Sequence, residues 1–187
     1  MVHSGVRTRL WAATFVQALP LMAVNVAIDL VDDGVSWSAP ADAVLFLLVN
    51  ALLSLAWAAH RTRSLARWAR GLGLPVTEDI LRGDQTYTLT GVPFTRVRAE
   101  LRLSERVFAL TGADDGNPVR FRWRLRRARR SAQASVTFDE TLGAARVEVR
   151  MVEEPADLAL FQGAAFITLC QIVRTLEPAD APGGKPR

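Results

Sequence analysis

Arginine carries the chemistry this chain could do, and its spacing is regular. In VRFRWRLRRARR, from Val119 to Arg130, apolar Val119, Phe121, Trp123 and Leu125 alternate with Arg120, Arg122, Arg124 and Arg126. The same alternation places Arg96, Arg98 and Arg102 along TRVRAELRL, and Arg146 and Arg150 along ARVEVRMV. A guanidinium offers a planar fork of N–H donors that fits the paired oxygens of phosphates and carboxylates. These nine arginines are therefore the candidate anion-binding residues. Glu100 and Glu148 are the acids interspersed among them, and Arg127, Arg129 and Arg130 extend the positive charge just beyond.

Bond-making chemistry has far less to work with. The chain has no P-loop, no GxGxxG and no His-based triad. Its only cysteine is Cys170 and its only histidines are His3 and His60, too few for a zinc centre. ADDGNP (113–118) resembles half a calcium loop but lacks the later ligands, so it reads as a turn. Asp139 and Glu140 fall in another turn, and Glu153 and Glu154 at a helix start. No catalytic residue, metal or cofactor is assigned, and a non-enzymatic role is expected. An enzyme would instead need a deep polar cleft with converging carboxylates.

The elements that position the arginines follow from periodicity. Alternation of period two marks half-buried antiparallel strands at 85–90, 95–103, 106–112, 119–126, 134–139 and 145–152. Their apolar parity forms one layer: Val97, Ala99, Leu101, Leu103, Val119, Phe121, Trp123, Leu125, Val136, Phe138, Val147, Val149 and Met151. The arginines take the other face. PADLALFQGAAFITLCQIVRTLEP supplies a closing helix, with Pro155 in its first turn and Pro178 as its stop. Leu158 to Val173 is short for a membrane span and contains Gln162, Thr168 and Gln171, so it reads as a core helix on the sheet. Cys170 is then a small buried hydrophobe.

The first sixty residues are different. Leu10–Ile28 and Ala43–Ala59 contain no formal charge. As helices each reaches about 26–28 Å, close to the ~30 Å hydrocarbon thickness of a bilayer. A cleaved signal peptide is disfavoured by the length of the first run and by the missing small-x-small cleavage site. Arg7 and Arg9 precede the hairpin, and His60, Arg61, Arg63, Arg67 and Arg70 follow it. The intervening loop holds Asp29, Asp32, Asp33 and Asp42. The positive-inside rule puts both termini in the cytoplasm. Arg61, Arg63, Arg67, Arg70 and Trp68 are the expected membrane-surface contacts. Gln17, Asn50 and Ser54 are the intramembrane polar residues, read as interhelical glue, with Gln17 and Ser54 at matching depths.

The expected architecture is an α+β membrane protein: a cytoplasmic tail (1–9), a transmembrane hairpin (10–60, spans 10–28 and 43–59 joined by loop 29–42), a basic juxtamembrane linker (61–75), an antiparallel sheet domain of about six strands covered by a C-terminal helix (76–177), and a disordered tail (178–187). Of the 187 residues, Lys185 is the only lysine, a bias that points to a high-GC bacterial genome and hence to a bacterial cytoplasmic membrane. The net charge of +4 and pI ≈ 10.4 favour acidic partners. In layout alone the chain resembles bacterial pleckstrin-homology-like proteins and two-span β-rich defence effectors, a likeness that assigns no residue a role.

The leading expectation is a membrane-anchored binding or regulatory module. Its basic sheet face would engage an anionic lipid headgroup, a phosphorylated small molecule or a protein partner. The alternative is a two-span effector, triggered by a phosphorylated ligand and acting through homo-oligomerisation of its hairpin. Nucleic acid is disfavoured, because Phe121 and Trp123 lie on the opposite parity from the cations. A face that is merely solvated would carry the same alternation.

Overall fold

The computed structural model describes residues 4–32, 38–114, 116–125, 131–151 and 163–178. Two long helices come first, α1 (Ser4–Asp32) and α2 (Ser38–Arg70). A single 3-10 turn (Glu78–Arg82) leads into β1 (Asp84–Thr90), α3 (Phe94–Leu103), β2 (Val107–Thr111), β3 (Val119–Arg124), β4 (Ser131–Asp139) and β5 (Ala144–Met151). Helix α4 (Ala164–Leu176) closes the fold.

The five strands form one open antiparallel sheet in the order β1-β5-β4-β3-β2. Strands β2 to β5 run as a meander. β1 sits at the far edge against β5, and α3 carries the chain beneath the sheet to β2 at the other edge. Alternation fixes the faces: Val119, Phe121 and Trp123 are buried while Arg120, Arg122 and Arg124 are exposed. Val147 and Val149 are likewise buried and Arg146 and Arg150 exposed.

One expected strand is a helix. Residues 95–103 fall within α3, so the sheet has five strands rather than about six. Periods of 2 and 3.6 both bring positions i and i+4 to one side, and Val97 and Leu101, the two buried residues of α3, satisfy either. The residues that decide between them are Ala99 and Leu103, which a strand would bury. Both are exposed, Leu103 at 80%. Ala, Glu, Leu and Arg are strong helix formers, and intrinsic propensity prevails over the alternation here.

Two buried clusters hold the fold together. The larger joins the inner sheet face to Val97, Leu101 and one side of α4, formed by Ala165, Leu169, Ile172, Val173 and Leu176. The second joins the other side of α4, Phe166 and Cys170, to Val6, Leu10, Ala58, Leu65, Ala69, Val76 and Ile80. Helix α4 thus lies between the base of the hairpin and the sheet, which is why its sequence is apolar almost all round. Its start is fixed by Gly163, which adopts φ +77° and would place a Cβ only 3.1 Å from Leu65 Cδ2. The positive φ favours glycine there, and any other residue would also press on Leu65 of α2. The described closing helix therefore starts at Ala164; the expected first turn, with Glu153, Glu154 and Pro155, lies outside the described residues.

The hairpin has two parts. Residues 4–10 are helical and packed, with Val6 and Leu10 fully buried and Arg9 paired to Glu78 at 2.5 Å. Farther out, from Val16 to Ile28 and from Val44 to Leu55, large apolar side chains are exposed, among them Leu21, Leu48, Leu52 and Leu53. Gly5–Ile28 and Ala41–Arg70 are long and apolar enough to cross a membrane, with mean hydropathies of 1.6 and 1.9. The helices are joined by Trp11 Nε1 donating to the Ala51 carbonyl at 3.2 Å and Asn50 Nδ2 donating to the Phe15 carbonyl at 3.4 Å. Buried Ser54 donates to Asn50 Oδ1 at 3.4 Å, and Gln17 is exposed.

Two pairs of substitutions test these assignments, read by denaturant unfolding of the full chain in mild detergent. Leu101→Ala should cost about 2–5 kcal/mol and Leu103→Ala within about 0.5 kcal/mol of nothing. Equal losses at the two leucines would restore the strand. On the sheet, Trp123→Ala should cost about 3–5 kcal/mol and its neighbour Arg122→Ala within about 0.5 kcal/mol of nothing. Similar losses there would mean the two faces are exchanged.

Candidate functional site

The outer face of the sheet is the candidate site, and β-register defines it. One row across the strands reads Phe108, Arg122, Gln133, Arg150, Asp84. The next reads Thr111, Arg120, Ser135, Glu148, Thr86. Arg146 stands between Thr137 and Thr88, and Arg124 beside Ser131. In these two rows β4 contributes the neutral Gln133 and Ser135, with its one acid, Asp139, at the end of the strand opposite Ala144. Like charges opposed across adjacent strands destabilise a sheet, and the neutral side chains between the arginines of β3 and β5 relieve that cost.

The charge on the face is not balanced. Arg150 pairs with Asp84 at 3.1 Å and Arg146 with Glu148 at 3.1 Å. Of the five arginines, the two on β5 are paired with acids, and Arg120, Arg122 and Arg124 on β3 have no acidic partner among the described residues. The Arg124 guanidinium lies 5.5 Å from the centroid of the Phe108 ring, on the outer face. Between β3 and β1 the face dips into an open concavity of ≈ 490 Å³, lined by Arg120, Gln133, Ser135, Glu148, Arg150 and Asp84 among others.

Not every candidate arginine lies on this face. With 95–103 helical, Arg96, Arg98 and Arg102 belong to α3. Arg98 donates to the carbonyls of Asp114 (2.8 Å) and Gly116 (3.1 Å), with its guanidinium 4.4 Å from the Phe94 ring centroid. Arg102 donates to the Ala113 carbonyl at 3.1 Å and pairs with the Asp114 carboxylate. These two arginines lace the 112–118 loop to α3 and are spent on structure. Arg96 is half-buried on the same helix. Arg126, Arg127, Arg129 and Arg130 lie outside the described residues. Arg63, Arg67, Arg70 and Trp68 are exposed along the end of α2, while Arg61 is partly buried.

Phe108 was not legible as part of the site. All but one of the five residues of β2, VFALT, are apolar, so alternation gives it no preferred face. A register shift between Phe108 and Thr111, with Ala109 at φ +50°, turns Val107 and Leu110 toward the core and leaves Phe108 opposite Arg122 on the outside.

Cys170 and Asp139 are both held by the fold. Burial between α4 and the hairpin base pushes the Cys170 thiol up to about 12, far from thiolate chemistry. The Asp139 carboxylate accepts from the Thr141 hydroxyl at 2.6 Å and from the Thr141 and Leu142 amides. Those bonds, the hydroxyl first, hold its carboxyl below the ordinary carboxylate value and serve the β4–β5 turn. Among the described residues no group of three or more His, Cys, Asp or Glu side chains could hold a metal ion. No protein-family model, curated protein or solved structure matches the chain.

Proposed function

We propose that this protein is a membrane-anchored binding module whose basic sheet face takes a phosphorylated anion on the cytoplasmic side. The observation that carries the reading is the run Arg120, Arg122, Arg124: three guanidinium groups on one strand, without acidic partners among the described residues. Gln133 and Ser135 flank them as neutral donors. Arginine forks bind phosphate oxygens in pairs, and amide and hydroxyl donors complete such a site.

The exposed apolar stretches of α1 and α2 support the anchor. A helix that is apolar all round and not covered by protein belongs in lipid. Placing the basic ends of the hairpin inside gives two cytoplasmic termini. Asn50, Ser54 and Trp11 act within the hairpin as helix-to-helix contacts. Arg63, Arg67, Arg70 and Trp68 face the headgroups, and the bacterial cytoplasmic membrane suits this arrangement.

The layering favours a free anion over the headgroups of the same membrane. The hairpin base packs on one side of α4 and the sheet on the other, so the arginine face is the side of the sheet turned away from the hairpin base. The test uses the full chain in nanodiscs, titrated with tripolyphosphate by calorimetry. In phosphatidylcholine discs tripolyphosphate should bind. The affinity should fall steeply with salt, because the Debye length shrinks from ~10 Å at 0.1 M to ~3 Å at 1 M. Replacing Arg120, Arg122 and Arg124 by Gln should abolish most of it without unfolding the chain. Tripolyphosphate binding that is unchanged in the triple variant would leave the face merely solvated. Binding that appears only as association with phosphatidylglycerol discs would assign the face to lipid.

A further inference from the structure

We propose that the anion is a nucleotide, its base stacked on Phe108 and its phosphates held by Arg120, Arg122 and Arg124 beside Gln133 and Ser135. This rests on the anion reading of the same face and adds the one non-polar member of the site. Phe108 has no place in the core: Val107 and Leu110 pack against the inner cluster, while Phe108 stands opposite Arg122 among cations. The backbone adopts a left-handed conformation at Ala109 (φ +50°), unusual for a residue with a Cβ, in the register shift that follows Phe108.

The guanidinium of Arg124 already shows what the ring accepts. It is a planar group 5.5 Å from the ring centroid, in the place a flat heterocycle would take. A base stacking on Phe108 would displace that guanidinium and free Arg124 for a phosphate, so both partners of the present contact gain one. Neighbouring strands are about 4.8 Å apart, so the path from Phe108 past Arg122 to Gln133 covers roughly 10 Å. That suits a base at one end and a phosphate chain at the other.

Across the strands, the charge of the described residues argues for a mononucleotide rather than a polymer. Along the first row the cations end at Asp84, and along the second the positive charge of Arg120 gives way to Glu148 two strands on. A single strand laid across the sheet would carry its later phosphates onto these carboxylates, whereas polymer sites keep a continuous basic track.

The experiment measures binding of ADP, pyrophosphate and single-stranded oligonucleotides of increasing length to the full chain in phosphatidylcholine nanodiscs. The parent should bind ADP about tenfold or more tightly than pyrophosphate, the gain expected from one stacked base. Phe108→Ala should bring ADP down to the pyrophosphate level while pyrophosphate still binds, which also shows that the face is intact. Phe108→Trp should keep or raise the ADP preference. Equal ADP and pyrophosphate affinities in the parent, indifferent to Phe108→Ala, would overturn the nucleotide assignment while the anion reading stood. No binding of either would overturn both. Affinity that climbs with oligonucleotide length would overturn it in favour of a polymer.

Discussion

Helix α4 has to bury two sides at once, and the rest of the structure depends on that. Phe166 and Cys170 point to the base of the hairpin, while Ala165, Leu169, Ile172, Val173 and Leu176 point to the sheet. Burial of an aliphatic or aromatic side chain contributes about 1.5–3 kcal/mol, so each side alone is a substantial interface. Polar ties support the arrangement. Arg106 donates to Gln171 Oε1 at 2.6 Å, Tyr87 donates its hydroxyl to the Leu72 carbonyl at 3.2 Å, and Arg9 pairs with Glu78. The first turns of α1 and the last turns of α2 are in this way part of the domain's packing.

With α3 and α4 on its inner face, the sheet leaves its outer face exposed among the described residues. Antiparallel sheets tolerate one solvated face, so exposure by itself asks for no explanation. The distribution of charge on it does. Asp84 on β1 and Glu148 on β5 pair with Arg150 and Arg146, and β3 has three arginines and no acid. Gln133 and Ser135 of β4 stand between the two basic strands. The result is a directional face, cationic at β3 and nearly balanced toward β1, with Phe108 at the cationic side. On the function proposed above, the hairpin that packs on α4 and the arginine face lie on opposite sides of one small scaffold.

Much of this architecture was legible in the residues. Strict alternation placed β3 and β5 and sorted Trp123 from Arg122, because a strand buried on one side leaves no other pattern. The uncharged runs marked the two long helices. What failed did so for identifiable reasons. Val97 and Leu101 sit four apart, a spacing that strand and helix share, so α3 read as a strand and carried Arg96, Arg98 and Arg102 onto the wrong surface. The nearly unbroken apolar run of β2 hid the side on which Phe108 falls, and a bulge is set by backbone geometry rather than by composition. Leu10 and Ala58 belong to the expected spans and Leu65 to the basic linker, so nothing in their composition marks the second buried cluster that they form with Phe166 and Cys170.

The claim most exposed to test is that α4 links hairpin and sheet into one cooperative unit. Hydrogen–deuterium exchange of the full chain in nanodiscs, comparing the parent with Leu65→Ala, addresses it directly. Leu65 is fully buried against α4, beside Gly163, and belongs to the second cluster rather than the larger one. Because α4 packs on β1 and β5, loosening its contact with α2 should speed exchange in α4 and in those two strands as well as at the end of α2. Faster exchange confined to α2, with α4, β1 and β5 protected as in the parent, would contradict the account.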